Sequence, residues 1–233
     1  MAAVSCSGSG SGTGPPGTSS PSASESSSAR PSPTEPTQAT GSQLATALLT
    51  PAQFPPGFAA NSTAALDSGS SITTAAAAHD PHDISCPELL NDLWRPGFGE
   101  TAMATNGVAD TATGEAYAEA VYQFASSGAA DVFYEGLAAT WPACGLIVAT
   151  LTPTEVGRLT IEPTTAPSGL GVQDFAVTMA GTEGVYLSET VTVVRDGVDV
   201  YLGTAGRIGG RQPTDLDSAT LLHELIASVA ELG

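Results

Sequence analysis

The first 42 residues constrain this chain more than any other feature, because they contain almost nothing from which a core can be built. Of these 42 positions, 30 are Ser, Gly, Pro or Thr, and Val4 is the only branched aliphatic residue. Such a composition buries too little apolar area to offset the entropy lost on ordering the chain. We therefore predict a disordered tether over residues 1–42. The domain proper is predicted over residues 43–233, a length for which one hydrophobic core is usual.

The balance of charge excludes several classes of partner. The chain carries 24 acidic and 6 basic residues, a formal net charge of −18, and it contains no lysine. Six arginines are too few for the basic surface that nucleic-acid phosphates require, and the acidity disfavours adhesion to anionic lipid. No apolar run approaches the roughly 18 residues of a membrane span. We therefore expect no nucleic-acid partner and no contact with a membrane except through a lipid anchor.

Cys6 is the candidate for that anchor. It follows Ala3-Val4-Ser5 and precedes the tether, and this pattern resembles the lipobox at which bacterial lipoproteins are cleaved and acylated. Only five residues precede Cys6, whereas such a precursor begins with a basic and then an apolar segment, so we expect the true signal peptide to lie upstream of Met1. The alternative is a stray cysteine in a disordered tail. Lipidation at Cys6 would hold the chain on the extracellular face of the cell membrane.

Cys86 and Cys144 lie inside the domain. An exported location permits a disulfide between them, and closing that loop would contribute about 4 kcal/mol. Two reduced thiols in a cytosolic protein are the alternative. Two isolated cysteines do not supply the ligands that zinc needs, so we expect no metal site and no cofactor.

Four segments carry helix signals. The first helix is predicted to begin at the N-cap Ser42 and to stop at Pro51, and the second begins at Cys86. The third is predicted from the N-cap Ser127 to a stop at Pro142. The fourth follows the capping pair Thr214 and Asp217 and carries the C-terminal apolar stripe. Thr73–Ala78 is either a further short helix or a loop.

The strand signals are alternations of apolar and polar residues. Residues 115–125 have the Ala and Glu content of a helix but alternate as a half-buried strand does, and we prefer the strand. The segments around 159–161 and 175–179 also alternate. Asp196-Gly197 predicts a two-residue hairpin turn in which Arg195 faces Val198. The same register places Val193 opposite Val200. Four antiparallel strands with helices before and after them predict an α+β fold.

No familiar catalytic or nucleotide-binding motif is present. The chain lacks GxSxG, Walker and GxGxxG patterns, and we interpret Gly203–Gly210 as a strand end rather than a phosphate cradle. The run His79-Asp80-Pro81-His82-Asp83 has ligands for a metal but unspecific spacing, so we interpret it as a solvated turn. His223-Glu224 begins like the zincin motif, but Ala227 stands where the second histidine is needed.

Two arginines are the candidate ligand-binding residues. Arg158 is predicted on the face of its strand opposite Leu159 and Ile161, and Arg207 ends the last strand beside glycines. Either guanidinium could anchor an anionic or hydroxylated ligand in a cleft. The alternative is a surface ion pair with one of the many carboxylates.

The order of several short motifs resembles the PknH-like extracellular sensor-domain family of actinobacteria. The matching segments are Leu48-Leu49, Phe54-Pro55-Pro56-Gly57-Phe58, Cys86-Pro87, Trp141-Pro142-Ala143-Cys144, Val191–Val198 and the final amphipathic helix. The resemblance covers about residues 44–231. It implies an antiparallel β-sheet flanked by helices with a groove, and a disulfide in the place of Cys86 and Cys144.

Three functions follow from these observations. The first is a cell-surface lipoprotein whose non-catalytic extracellular domain binds or senses an unknown small-molecule or cell-envelope ligand, as the resemblance implies. The second is a cell-envelope hydrolase or metal-dependent enzyme that uses His79, His82 or His223. The third is a scaffold that contacts other envelope proteins.

Overall fold

The computed structural model describes residues 38–72, 79–91, 94–152, 155–183, 187–209 and 214–233. Cys6, most of the predicted tether and the segment Thr73–Ala78 lie outside these residues. The described helices are α1 Gly41–Ala47, α2 Cys86–Asn91, α3 Ser127–Cys144 and α4 Ser218–Ala230, with a 3-10 turn at Pro51–Gln53. The described strands are β1 Ala59–Ala60, β2 Leu66–Asp67, β3 Ala102–Asp110, β4 Glu115–Gln123, β5 Leu146–Thr152, β6 Glu155–Thr164, β7 Gln173–Glu183, β8 Leu187–Asp196 and β9 Asp199–Ile208.

Across the described residues, nine strands form one antiparallel sheet in the order β1-β3-β4-β9-β8-β7-β6-β5, with β2 also pairing with β3. Strands β5 to β9 form a meander, and β9 returns beside β4 over nine residue pairs. The predicted α+β fold with an antiparallel sheet is therefore confirmed. The sequence predicted four strands and the disputed β4; it did not identify β1, β2, β3 or β5.

The predicted hairpin between β8 and β9 exists, but its predicted register was wrong by two residues. Asp196 pairs with Asp199 and Val193 pairs with Leu202, so Gly197 and Val198 form the turn. Gly197 has a φ of 60°, a left-handed conformation that favours glycine. A shift of two residues keeps every side chain on its predicted face, which is why the alternation alone could not reveal the error.

Five predicted helix limits differ from the structure. α1 ends at Ala47, before the predicted stop at Pro51. Ser126, not Ser127, caps α3, and its hydroxyl accepts the Ala129 N–H at 3.2 Å. Thr40, not Ser42, caps α1, and its hydroxyl forms a capping box with Gln43. Asp217 alone caps α4, because its carboxylate accepts the N–H groups of Ala219 and Thr220. Pro142 lies inside α3, which continues to Cys144 and ends at Gly145 with a φ of 54°.

The helices cover the two faces of the sheet unequally. α3 packs on one face, which we call the α3 face, and its core includes Met103, Tyr122, Val193 and Leu202. α1 and α4 pack on the other, the α4 face, over the side of the sheet that contains β3, β4 and β9. The large α3-face cluster also contains Phe98, Phe124, Phe133, Leu137, Trp141, Ile161, Val177 and Met179.

β4 is buried on both faces, because a helical layer lies above and below it. The predicted strand is confirmed, but the prediction that one of its faces meets solvent was wrong. Glu119, which should have been exposed, lies on the α4 face with 1% of its surface accessible. Its carboxylate accepts the Leu49 backbone N–H at 2.6 Å. Burial raises the pKa of Glu119 to about 8, against the opposing effects of the Leu49 N–H and the Tyr117 hydroxyl.

We expect the stability of the Glu119→Gln variant to decrease less than that of the wild type as the pH rises. Because the folded-state pKa is raised, this carboxyl favours folding fully below pH 4.5, and that contribution disappears as the pH rises to about 8. The glutamine stays neutral and can still accept the Leu49 N–H. Its free energy of unfolding should exceed that of the wild type at pH 8 by on the order of a few kcal/mol. Urea denaturation at several pH values measures this; a difference that does not change with pH would contradict it.

A disulfide joins Cys86 and Cys144, at the start of α2 and the end of α3. It closes a loop with a sequence separation of 58 residues. Leu89 of α2 and Trp141 of α3 are buried beside it in the α3-face core. The bond therefore ties the short helix α2 to the sheet layer through α3.

We expect the double variant Cys86→Ala/Cys144→Ala to unfold more easily by about 2–4 kcal/mol, because its unfolded chain is no longer restrained. Urea denaturation with and without reductant measures the effect. The reductant should lower the stability of the wild type and leave the variant unchanged. Equal stability of the two oxidised proteins would show that the bond contributes nothing.

Candidate ligand-binding groove

An open cavity lies on the α3 face, beyond the part of the sheet that α3 covers. Its volume is about 780 Å³, which is suitable for a small organic ligand. We call it the groove. It is lined by Thr63, Ala64, Ala65, Leu66, Trp94, Arg95, Pro96, Thr105 and Ala118.

The floor of the groove is hollow because β3 and β4 carry small side chains there. Thr105 and Ala118 line it, and Gly107 pairs with Ala118 on the same face. Further along the same two strands and on the same face, Met103 pairs with Tyr122, and both are fully buried in the core. The change from large to small side chains along two strands therefore separates the packed core from the groove.

One wall of the groove is the segment of residues 61–67. Asn61 starts it with a side-chain turn, in which its carboxamide oxygen accepts both the backbone N–H and the hydroxyl of Thr63. The Asn61 N–H donates to the Gly107 carbonyl at 2.8 Å. A Cβ atom on Gly107 would lie 3.0 Å from the Ala64 Cβ, so glycine lets this wall approach β3 closely.

The other wall is the segment of residues 94–97. The Tyr122 hydroxyl donates to the Arg95 carbonyl at 3.4 Å, and the His79 N–H donates to the Gly97 carbonyl at 3.0 Å. The buried Glu100 carboxylate accepts the N–H groups of Gly97 and Phe98 at 2.9 and 2.8 Å. These bonds fix the backbone of the wall, while Trp94 is half-buried and the Arg95 side chain is exposed.

The electrostatics of the α3 face near the groove come from a few groups. Among the described residues that line the groove, Arg95 is the one with a charged side chain. Glu189 of β8 lies on the same face and is separated from Ala118 of β4 by strand β9. Burial raises the pKa of Glu189, and the hydrogen bond with the Thr204 hydroxyl opposes this rise. The pKa of Tyr122 is also raised by burial and by Glu100.

The two predicted ligand-binding arginines lie on the α4 face, away from the groove. Arg158 is exposed and pairs with Val148 on β5, and Leu159 beside it is buried on the α3 face, as the alternation predicted.

 Arg207 donates to the Glu115 carboxylate at 3.0 Å and lies 3.6 Å from the Asp215 carboxylate. The structure does not bring the two arginines together, because three strand spacings separate β6 from β9. Their role in ligand binding stays a prediction.

The three histidines are also placed apart. His79 is half-buried, its ring centroid is 5.6 Å from that of Phe98, and it lines a second, apolar cavity of about 540 Å³ near the start of α3. His82 is exposed in a turn where its N–H donates to the Asp80 carboxylate. His223 is exposed on α4, on the other side of the sheet. Among the described residues, no three His, Cys, Asp or Glu side chains are grouped to hold a metal ion.

Comparison with known proteins decides the family. Residues 39–216 match the family of PknH-like extracellular domains. The chain belongs to this family. The match includes the disulfide, the groove and all nine of the described strands, and it ends just before α4. The predicted resemblance is therefore confirmed, and the domain is of an extracellular, sensor type.

One solved structure supports the PknH-like fold. The extracellular domain of PknH from Mycobacterium tuberculosis is similar with a TM-score of 0.58 and 14% identity, covering 82% of this chain and 97% of that one. A putative uncharacterized protein from Mycobacterium smegmatis has 12% identity, a TM-score of 0.38 and coverages of 82% and 96%. At these identities the likeness concerns the fold alone. No curated protein matches the chain significantly. Within the described part of the chain, no helix is long and apolar enough to cross a membrane.

Sequence reasoning missed Trp94 and Arg95, which supply the aromatic and the charged side chain of the groove. The signal was present in Trp94-Arg95-Pro96-Gly97, where an aromatic and a cationic residue precede a Pro-Gly turn. This run alone does not show which strands it faces. Its position depends on Tyr122, which is distant in the sequence, and on Glu100, a polar residue whose burial the sequence does not indicate.

We expect Arg207→Met to destabilise the domain by about 1 kcal/mol at neutral pH, since it removes the ion pair with Glu115. The N–H of Asp215, the Thr214 hydroxyl and Arg207 together lower the pKa of Glu115. Its contribution is therefore present above its ordinary pKa and is lost as the pH falls through the lowered value. Urea denaturation at pH 7 and pH 3 measures the loss, which should shrink in acid. An equal loss at both pH values would contradict the ion-pair explanation.

Proposed function

We propose that this chain is a cell-surface lipoprotein whose PknH-like extracellular domain binds a ligand without catalysing a reaction. The observation that carries the proposal is the groove, in which two walls fixed by hydrogen bonds stand over a floor of small side chains. A preformed cavity of this kind binds a ligand with little cost in ordering the protein.

The residues that line the groove support binding rather than catalysis. In the described structure they comprise small, apolar and hydroxyl side chains, Trp94 and Arg95, without a carboxylate, thiol or imidazole. General acid–base or nucleophilic chemistry needs such a titratable group within hydrogen-bond reach of the substrate. The histidines proposed for the enzyme alternative lie on other surfaces, with His79 in the second cavity and His223 on α4.

The location at the cell surface is supported by two features of different kinds. The family consists of extracellular domains, and the disulfide between Cys86 and Cys144 is of the kind that persists outside the cytoplasm. Cys6 would carry the lipid. Residues 7–37, which precede the described residues, would then link the lipid to the domain with an end-to-end distance of about 31 Å if they behave as a flexible coil.

The scaffold alternative has one observation in its favour. In the described part of the chain no strand pairs with the outer edge of β5, where Leu146 and Val148 are 53% and 59% exposed. An apolar, uncharged sheet edge can pair with a strand of another chain. Retention of a protein partner instead of a small molecule by the purified chain would favour this function.

We expect Ala118→Trp to abolish ligand retention, because the indole would fill the floor of the groove. The matched control is Ala180→Trp, at an exposed position of β7 on the α4 face. Native mass spectrometry of each protein, purified from the envelope of cells that make it, should show a small-molecule adduct on the wild type and the control only. Circular dichroism checks that both variants fold.

Two outcomes would contradict the proposal. An adduct retained equally by both tryptophan variants, or the absence of any adduct on the folded wild type, would show that the groove is not the binding site. The mass of the same wild-type protein tests the anchor separately. An unmodified Cys6 in mature protein would overturn lipidation and leave the groove proposal standing.

A further inference from the structure

We propose that the groove binds an acidic sugar, with the acid group on Arg95, the sugar ring on Trp94 and ring hydroxyls on two threonines. The inference rests on the proposed function, since it specifies the chemistry of the ligand in that groove. Three independent properties of the lining residues lead to it.

The first property is the charge of Arg95. The chain has 24 acidic residues to 6 basic ones, and ion pairs occupy Arg195 with Asp131 at 2.7 Å and Arg207 with Glu115 at 3.0 Å. Arg95 forms no ion pair with any residue that the structure describes. An exposed guanidinium beside a cavity attracts a carboxylate or phosphate, which it can bind through two parallel hydrogen bonds.

The backbone that carries this guanidinium is already ordered. Its carbonyl accepts the Tyr122 hydroxyl, Pro96 follows it, and Glu100 holds the next two N–H groups. Only the side chain of Arg95 has to be fixed when an anion binds. The entropy lost on binding is therefore small for an exposed loop residue.

The second property is the position of the Trp94 indole in a groove lined by small side chains. Its indole is half-buried against the α3-face core, and it lines a groove whose other members include Ala64, Ala65 and Ala118. A flat aromatic surface with free space above it suits the apolar face of a ring. An extended acyl chain would find no continuous lining of large apolar side chains.

The third property is the direction of the threonine hydrogen bonds. The Thr63 hydroxyl donates to the Asn61 side-chain oxygen at 2.7 Å, and the Thr105 hydroxyl donates to the Glu119 carbonyl at 2.9 Å. A hydroxyl has one proton and two lone pairs, so each threonine offers the groove an acceptor and no donor. The matching ligand carries hydroxyl donors, as a sugar does and a fatty acid or simple aromatic acid does not.

The test is a titration of the full chain with four probes, followed by two-dimensional NMR. Methyl glucuronide and glucose 6-phosphate carry an acid group on a sugar, methyl glucoside is the neutral sugar, and octanoate is an acid without hydroxyls. We expect the wild type to bind a sugar acid about tenfold more tightly than methyl glucoside. Shifted resonances should include those of the groove walls. The glucuronide and the phosphate tell a carboxylate from a phosphate site.

Variants separate the three contacts. Arg95→Ala should reduce the preference for the sugar acid to about onefold, and Arg95→Lys should keep part of it. Thr105→Val should weaken all sugars, as it removes an acceptor without altering the shape. Arg158→Ala tests the competing prediction that Arg158 anchors the ligand, because it removes an exposed guanidinium on the opposite face of the sheet. It should bind every probe as the wild type does.

Several results would overturn the inference. Equal affinity for methyl glucoside and the sugar acids, tighter binding of octanoate, no binding of either sugar acid, or a loss in Arg158→Ala instead of Arg95→Ala would each do so. The proposed function fails separately. If the wild type retains a cellular adduct that Ala118→Trp loses, but that adduct is uncharged, the groove still binds a ligand and only its acidic chemistry is wrong.

Discussion

The burial of β4 between two helical layers is the constraint on which the other features depend. β4 pairs along its length with β3 on one side and with β9 on the other, so it joins the N-terminal strands to the C-terminal meander. Its side chains alternate between two interiors. Tyr122 packs under α3, and Val121 packs under α1 and α4. This alternation places Glu119 in the second interior, where the Leu49 N–H donates to one carboxylate oxygen and the other oxygen has no hydrogen-bond partner among the described residues.

The same strand builds both the core and the groove. On the α3 face it presents Tyr122 beneath the helix and Ala118 beyond it, so one change in side-chain size marks the boundary between packed interior and cavity. Tyr122 also hydrogen-bonds the backbone of Arg95. A residue of the core therefore positions a wall of the groove, and the floor of the groove belongs to the paired strands of the sheet.

The sequence predicted the features that depend on local periodicity, and it failed where tertiary contacts decide. Alternation placed Leu159 and Ile161 in the core and Arg158 on the opposite face, as the structure has them. β3 was missed because its residues are small and include Asn106 and Gly107, which are uncommon in strands. Its pairing with β4 supplies what its own propensity lacks. No periodicity could show that the face with Arg158 and Arg207 lies away from the cavity.

The groove walls differ from its floor in how they are held, and this difference decides where a bound ligand would act. The floor belongs to strands paired on both sides. The wall of residues 61–67 is held at Gly107 and through the two-residue pairing of β2 with β3, and the other wall is held by Tyr122 and Glu100. A ligand that contacts both walls adds restraints where there are few and almost none where there are many. Ligand binding would therefore reduce the motion of the walls and leave the sheet unchanged. A partner that responds to ligand binding would therefore contact the residues of the walls, because the floor would have the same structure in the free and the ligand-bound domain.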